Sequence, residues 1–384
     1  MKTVKQLLTI SLFIILTSCS KDSDATVAPT ATNAPSSTDV YIVGMTKNSN
    51  NNKIPTLWKN GVPNILPSDL NTPTFANKVA VSGSDIYVVN ENDFTRSILL
   101  WKNGIIVQTI PNSRTHEIIV VGNDVYILGQ TENTFKTWKN GVETILTSNV
   151  NNNFVFKMKV VNGDVYAAGS ERVGTKNIAK FWKNGAATAI SDTSFNSFVD
   201  DFEVVNNEVT VLFREQNTAT TENLKVWKNG NTVTLESGLL SNGTIGRGFL
   251  EVVGNIQYAL TRQDLGLGNR KIILFKNGIK SDITTGTLSN FPIDMKIIGD
   301  DVHVLAIERD MTNTSTTSIL NHFKNTQKTI LINGDPTASF GDASMTVSNN
   351  GDVHIAVSNK YFKNNISSIL PGLLAETHGI FVVN

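Results

Sequence analysis

Arginine residues are the side chains of this sequence whose type and placement best suit the binding of a ligand. All eight lie in polar stretches between apolar runs, or at the margins of those runs. A guanidinium group is a planar fork of N–H donors that binds carboxylate or phosphate in a bidentate manner and stacks on flat faces. A face that binds acidic or hydroxyl-rich groups is therefore predicted, unless the arginines only solvate the loops. Its residues are Arg96, Arg114, Arg172, Arg247, Arg262, Arg270 and Arg309.

Histidines and adjacent carboxylates are the residues that could support catalysis or hold a metal. His303 and His354 stand where other copies of a repeat have Tyr, which favours packed side chains. The spacing of histidines and carboxylates matches neither a zinc site nor a calcium loop. Asp200 and Asp201 are neighbours on a predicted strand, where successive side chains point to opposite faces. The sequence therefore predicts no catalytic residue, no metal ligand and no cofactor.

A recurring tetrapeptide organises the elements that must position these residues. It reads Trp-Lys-Asn-Gly in its best-kept copies, and a stretch that reads Asp-Val-Tyr or a close variant precedes each copy. Successive copies lie 37 to 48 residues apart, which is the length of one four-stranded β-propeller blade. The aromatic residues of the copies are Trp58, Trp101, Trp138, Trp182, Trp227, Phe275, Phe323 and Phe362. The preceding stretches begin at Asp39, Asp85, Asp124, Asp164, Glu208, Ile256, Asp301 and Asp352.

The fourth copy shows the repeating unit most clearly. Residues 157–161, 164–168, 178–183 and 186–190 predict four strands. An Asn-Gly dipeptide joins the first strand to the second and the third to the fourth, and this pair favours a type I′ hairpin turn. The strands are apolar on both faces, so we expect each sheet to be covered on both sides and the recurring Trp or Phe to pack between sheets. The Asp and Lys of each copy should meet at the tight-turn end as an exposed pair of small energetic value.

The termini predict how the array of sheets closes. The first strand, 40–43, is of the second type in the unit, and the last, 379–384, is of the first type. Pairing the two would remove the exposed edges of an open array. The predicted fold class is all-β, an eight-bladed β-propeller that forms one domain over residues 39–384 and is closed by its C-terminal strand. Seven blades remain the alternative, because the copy at Phe362 is eroded.

Two resemblances bear on this fold. The strand order and the Tyr of the second strand resemble a kelch repeat, although a single Gly replaces the kelch Gly-Gly pair, as at Gly44, Gly129 and Gly169. The paired Asp-Val-Tyr and Trp-Lys-Asn-Gly motifs more closely resemble repeats of uncharacterised bacterial lipoproteins of the Bacteroidota type. That resemblance covers residues 39–384 and implies a propeller without implying an activity.

The N-terminal residues predict export and a lipid anchor. Residues 1–18 contain Lys2 and Lys5 and then a short apolar run, as in a secretory signal peptide. The last residues of this segment together with Cys19 resemble a lipobox, which implies that Cys19 is lipidated and contacts a membrane. Residues 19–38 are polar and predict a disordered tether. Residues 20–24 resemble a signal for display on the outer surface, so we expect an outer-membrane protein that is surface-exposed, with a periplasm-facing anchor as the alternative.

The charge balance restricts the class of partner. The chain has 33 basic and 33 acidic residues, and without Lys2 and Lys5 the basic count is 31. This balance does not favour nucleic acid as a partner. We therefore predict a monomeric binding or interaction module for a glycan or a surface protein. The alternatives are a polysaccharide hydrolase or lyase that uses carboxylates such as Asp200, Asp201 or Asp264, and a structural subunit of a surface complex.

Overall fold

The computed structural model describes residues 38–67, 74–92, 95–240, 248–311, 317–335, 340–372 and 375–383. The chain divides into two compact units, residues 1–37 and residues 38–384, and the described residues belong to the second. Within them the chain forms 32 strands and no helix, so no described helix could span a membrane. The predicted signal peptide, Cys19 and Arg247 lie outside the described residues, as does almost all of the predicted tether.

The strands form sheets of four in which each strand pairs antiparallel with the next. The first sheet contains β1 (Asp39–Lys47), β2 (Lys53–Lys59), β3 (Val62–Ile65) and β32 (Glu376–Val383). The next two contain β4 (Thr74–Ser82), β5 (Asp85–Asn92), β6 (Ser97–Lys102), β7 (Ile105–Ile110), and β8 (Ser113–Val121), β9 (Asp124–Thr131), β10 (Thr134–Lys139), β11 (Val142–Ile145). The fourth and fifth contain β12 (Phe154–Val161), β13 (Asp164–Val173), β14 (Lys176–Lys183), β15 (Ala186–Ala189), and β16 (Ser197–Val205), β17 (Glu208–Gln216), β18 (Thr221–Lys228), β19 (Asn231–Leu240).

The remaining strands complete the series. Two further sets of four contain β20 (Phe249–Val253), β21 (Ile256–Gly266), β22 (Asn269–Lys276), β23 (Ile279–Asp282), and β24 (Ser289–Ile298), β25 (Asp301–Arg309), β26 (Ser318–Lys324), β27 (Gln327–Asp335). The last sheet contains β28 (Ser344–Val347), β29 (Val353–Val357), β30 (Lys360–Lys363) and β31 (Ile366–Ile369). The sets β20–β23 and β24–β27 join into one eight-stranded sheet through a single parallel bridge, Arg270 with Ser289. The predicted propeller-like, all-β architecture is thus confirmed.

The C-terminal strand pairs with the first strand of the chain. β32 runs antiparallel to β1, with Tyr41 opposite Phe381. β32 occupies the place that β4, β8 and the other first strands occupy in their own sheets. The predicted pairing of the two terminal strands is therefore present.

Burial follows the position of a strand within its sheet. The second strands are largely buried, and the recurring Trp or Phe of the third strands is buried in seven copies and half-buried at Trp227. The short fourth strands β3, β11, β15, β23 and β31 are exposed along their whole length. Each apolar cluster joins neighbouring sheets, as where Tyr41 and Leu57 pack with Val88 and Trp101. The repeated aromatic residue is thus a core residue between sheets, as the sequence predicts.

The tight turns are stabilised by their asparagines. Asn103 has a φ of 52° and the following Gly104 a φ of 81°, as type I′ turns require. The Asn103 side chain accepts a hydrogen bond from the Ile86 N–H at 2.8 Å and donates one to Asp85 at 2.8 Å. Lys102 adds a salt bridge to Asp85 at 2.7 Å. Six of the turns have this complete set of contacts, with Asn60, Asn103, Asn140, Asn184, Asn325 and Asn364.

A β-bulge recurs in the first strand of a sheet. The pairing register shifts between Thr115 and Glu117, and in the same way in β4, β12, β16, β24 and β32. A glycine on the second strand faces three of these bulges. A Cβ on Gly169 would lie 2.0 Å from the Phe154 carbonyl oxygen, so a side chain there would displace the bulged backbone. Because the bulge interrupts the alternation of side chains, the sequence-based start of β12 at residue 157 is three residues late.

Candidate functional site

A central cavity of about 560 Å³ lies among the first strands of the sheets. Seven of the strands that come first in their sheets contribute residues to its lining. Most of these residues lie at the β-bulge or in the three positions that follow it. Half-buried Phe156 and Phe249 supply aromatic surface, Ile293 and Met295 add aliphatic surface, and eight lining side chains are charged. The charged lining residues are Lys78, Glu117, Lys157, Asp200, Asp201, Glu251, Asp294 and Lys296. The first strands are therefore not apolar on both faces, contrary to the expectation from the repeat, because they border this cavity.

Ion pairs connect the cavity residues of β12 with those of β16. Lys157 Nζ lies 2.6 Å from Asp201 Oδ1 and 3.2 Å from Glu203 Oε1, and Lys159 also pairs with Glu203. Burial alone would lower the pKa of Lys157, but the charges of Asp201 and Glu203 outweigh it and raise that pKa. Lys157 therefore stays charged, and the ion pairs of Lys157 and Lys159 hold the two sheets together.

Two aspartates in equivalent positions bind the backbone of the next sheet. Asp201 Oδ2 accepts a hydrogen bond from the Leu250 N–H at 2.8 Å, and Asp294 Oδ2 accepts one from the Met345 N–H at 3.2 Å. Asp294 also lies 3.2 Å from Lys296. Both carboxylates are thus engaged in joining first strands.

Glu117 occupies the corresponding position on β8 and differs from those aspartates. Among the described residues its carboxylate has no hydrogen bond and no ion pair. Burial raises the pKa of Glu117, against the opposing effect of Lys78, Lys157 and Lys159. Lys78 is exposed and likewise forms no salt bridge within the described part of the chain. The cavity therefore presents a half-buried carboxyl and an exposed ammonium group that form no salt bridge within the described residues.

The carboxylates considered from sequence as catalytic candidates are all engaged. Asp200 is buried and accepts a bidentate pair of hydrogen bonds from Arg214, which also binds Glu222 at 2.8 Å. Asp264 lies 3.2 Å from Arg270 and accepts a hydrogen bond from the Gly266 N–H at 3.0 Å. These contacts position Asp200 and Asp264 as structural groups.

Three of the predicted binding arginines lie apart from one another. Arg96 is exposed at the turn between β5 and β6, and Arg114 pairs with Glu91 at 3.2 Å. Arg172 donates hydrogen bonds to Gly174 O and to Asn177 Oδ1, both at 3.2 Å. Arg114 and Arg172 belong to strands, because the strands extend further than the sequence pattern indicates.

The structure brings together the other three predicted arginines that it describes. Arg262, Arg270 and Arg309 have their guanidinium carbons 5.6, 5.2 and 5.8 Å from the centroid of the Phe291 ring. These three arginines and Phe291 are called the arginine cluster below. They come from four strands, β21, β22, β24 and β25, so their proximity is a property of the fold.

Histidines form polar contacts inside the sheets. His303 Nδ1 lies 3.0 Å from His322 Nε2, and His322 Nδ1 lies 2.8 Å from Asn365 Oδ1. His303 and His354 are buried, as predicted for side chains that replace the repeated Tyr, and His322 is buried as well. In the described ranges no group of three or more His, Cys, Asp or Glu side chains could hold a metal ion.

The charged cavity lining was missed by the sequence-based interpretation. A signal for it exists in the alternation of charged and apolar residues in Lys157-Met158-Lys159, Asp201-Phe202-Glu203 and Asp294-Met295-Lys296. Such a period of two indicates a strand with one polar face.

Comparison with known proteins supports the fold. No protein-family model matches this sequence, and no curated protein matches it. A solved structure of a puromycin-hydrolyzing peptidase from Mycobacterium tuberculosis matches with a TM-score of 0.51 at 8% identity, over 84% of this chain and 57% of the peptidase chain. This chain therefore corresponds to little more than half of the peptidase. A likeness at this identity shows the propeller-like fold alone.

Two further solved structures match more weakly. One, from a study of two prolyl endopeptidases, has a TM-score of 0.46 at 9% identity and covers 77% of this chain and 49% of its own. The polysaccharide lyase Uly1 has a TM-score of 0.45 at 8% identity, over 80% of this chain and 89% of its own.

Proposed function

We propose that this protein is a lipid-anchored, eight-bladed β-propeller of the cell envelope that binds a saccharide in its central cavity. The observation that carries the binding proposal is Glu117, a cavity carboxyl that forms no ion pair with a lysine and accepts no backbone hydrogen bond within the described residues. Its counterparts Asp201 and Asp294 are engaged in holding sheets together.

The contacts of the first strands support a closed ring of eight blades. β4, β8, β12, β16, β20, β24 and β28 each contact the next strand in this order, and β32 contacts both β28 and β4. Eight sets of four strands arise when the joined sheet is counted as two. Closing the ring in this way leaves no first strand without two neighbours.

The chemistry of the cavity supports a saccharide as the ligand. Its volume of about 560 Å³ lies within the range of small-molecule sites. Sugar hydroxyl groups can donate to Glu117 and accept from Lys78, and the apolar face of a sugar ring can pack on Phe156 or Phe249. A surface protein would need a broad complementary patch and would make less use of an internal cavity.

Binding to immobilised oligosaccharides tests this proposal. We expect the full-length, detergent-solubilised protein to be retained and Glu117→Gln to be retained at least tenfold more weakly, because a charged hydrogen bond contributes about 1.5–3 kcal/mol. Glu208→Gln is the matched control, since Glu208 is exposed at the tight-turn end. Equal retention of Glu117→Gln and wild type would exclude the cavity site. Retention of an envelope protein without any saccharide binding would favour a scaffold role.

Glu117 also favours a second candidate function, cleavage of a polysaccharide. A carboxyl whose pKa is raised by burial can act as a general acid. A polysaccharide panel incubated with the protein tests this candidate. Product release that Glu117→Gln abolishes would support a hydrolase or lyase, and binding without products would support the binding module.

The proposed anchor is the thiol of Cys19, on the outer face of the outer membrane. It is supported by the resemblance of Leu16-Thr17-Ser18-Cys19 to a lipobox. Cys19→Ala should abolish metabolic labelling by a fatty acid and release the protein from the membrane fraction. Protease treatment of intact cells distinguishes a surface-exposed domain, which would be degraded, from a periplasm-facing one.

A further inference from the structure

The arginine cluster lies where the regular repeat is interrupted. Elsewhere in the described residues neighbouring sheets pack without strand pairing, but β22 and β24 are joined by the bridge between Arg270 and Ser289. Arg262 on β21 and Arg309 on β25 reach the same half-buried Phe291 from the two sides of this joint. Both sheets therefore contribute cations to one position.

Arg309 brings to the cluster a positive charge that no ion pair balances within the described part of the chain. Arg270 lies 3.2 Å from Asp264, which neutralises one guanidinium. Arg309 donates from Nε to Ser318 Oγ at 2.9 Å and forms no ion pair among the described residues. An aromatic face attracts a cation, but three guanidinium groups around one ring also repel one another.

A buried donor in the cluster points to the kind of ligand that is needed. Arg270 Nη1 donates to Gly268 O at 3.3 Å and to Ser289 Oγ at 3.1 Å. Arg270 Nε is buried and forms the ion pair with Asp264 at 3.2 Å, but it donates no hydrogen bond within the described residues. A buried N–H that lacks an acceptor is costly. An oxygen-rich anion would supply acceptors and negative charge together.

We propose that the arginine cluster is a binding site for an oxyanion group, a carboxylate, sulfate or phosphate, with Arg309 and Arg270 as its main ligands. Phe291 stands two residues before Ile293 on β24, and Ile293 lines the central cavity. An acidic substituent of a ligand in the cavity could therefore reach the cluster. This extension to an acidic saccharide rests on the proposed function, whereas the oxyanion site itself does not.

Inorganic phosphate tests the site without any saccharide. Its phosphorus NMR line should broaden saturably with the full-length wild-type protein, and Arg309→Gln should weaken this binding about tenfold, as expected when one charge-assisted contact is lost. Arg96→Gln, which removes an exposed arginine outside the cluster, should bind phosphate like wild type. No saturable broadening in wild type, or equal loss in both variants, would overturn the proposal.

A substitution that is expected to tighten phosphate binding tests whether the loss in Arg309→Gln reflects only damage to the fold. Asp264→Asn removes the negative charge beside Arg270 but keeps a side-chain oxygen for the Gly266 N–H. We expect this variant to bind phosphate several-fold more tightly than wild type, because the cluster gains net positive charge. Unchanged or weaker binding would contradict the oxyanion site.

Three sugars then identify the source of the oxyanion. Saturation-transfer NMR with galacturonate, galactose sulfate and galactose compares a carboxylate, a sulfate ester and a neutral ring. If the extension to a saccharide is right, at least one acidic sugar binds more tightly than galactose, and Arg309→Gln removes that preference without removing galactose binding. If phosphate binds and none of the sugars does, the oxyanion site stands and the proposed saccharide function fails. If all three sugars bind alike, the cavity proposal stands and the extension fails.

Discussion

The tight-turn end and the central cavity use the same kinds of charged residue in different ways. At the tight turns Asp85, Lys102 and Asn103 interact within a single sheet, and this arrangement recurs from sheet to sheet. Around the cavity some pairs also cross between sheets, as from Lys157 to Asp201. A pair within one hairpin stabilises that hairpin in every sheet that contains it. A pair between two sheets depends on the residues of the neighbouring sheet, so such pairs differ from one position of the fold to the next. The repeated end is therefore structural, and the varied interior is where a binding site can arise.

The largest expected effect comes from Asp200→Ala. The substitution leaves the buried guanidinium of Arg214 with Glu222 as its remaining carboxylate, and breaking a buried pair in this way costs about 3–5 kcal/mol. The free energy of unfolding, measured by denaturant titration, should fall by this order. Asp85→Ala at the tight-turn end is the control and should cost much less. Equal losses would show that burial does not distinguish the charged contacts near the cavity from those at the tight-turn end.

A smaller loss is expected for Asn103→Ala. Alanine is strained at a φ of 52°, and two hydrogen bonds of the Asn103 side chain are lost, so unfolding should become easier by about 2 kcal/mol. Asn103→Gly keeps the positive φ accessible and loses only the hydrogen bonds. The difference between the two variants measures the strain, and no difference would show that strain is unimportant in this turn.

Glu117→Gln should increase stability at neutral pH. Because the pKa of Glu117 is raised in the folded protein, the carboxyl favours folding below its ordinary pKa of 4.5, and this contribution is lost as the pH rises through the raised pKa. The variant avoids that loss. Its advantage in free energy of unfolding should shrink as the pH is lowered towards 4.5. A wild type that is more stable at neutral pH would show that Glu117 is a structural residue.

The smallest effect is expected for His303→Tyr, which restores the residue found in other copies. Burial, with a smaller contribution from the charge of His322, lowers the pKa of His303 to about 4. As the pH falls below 6.5, His303 is therefore protonated in the unfolded chain before it is protonated in the folded protein. The wild type should therefore lose stability between pH 6.5 and about 4, and the variant should lose less. Thermal unfolding at several pH values measures this difference. Identical pH profiles would mean that His303 does not contribute.

The core and the tight turns could be predicted because they depend on local sequence. Asn-Gly pairs specify the hairpins, and the recurring Trp or Phe identifies the residue that packs between sheets. The predicted binding role of the arginines stays a prediction, but their positions relative to one another could not be foreseen. Arg114 and Arg172 lie in strands with separate partners, whereas Arg262, Arg270 and Arg309 meet around one ring. The distance between two residues along the chain does not predict whether their side chains meet when they lie in different sheets.

The sequence by itself determined the order of the strands and the tight turns, because both depend on residues that are close in the chain. It also determined the pairing of the terminal strands, because the C-terminal strand is of the type that the first sheet otherwise lacks. The tertiary structure decided which charged groups meet. A β-bulge shifts the side chains that follow it to the other face of the strand, so the bulges in the first strands turned Glu117, Lys157 and Asp201 towards one cavity. Only the neighbouring sheets then settled that Asp201 is held by Lys157 and Leu250, whereas Glu117 forms no such contact among the described residues.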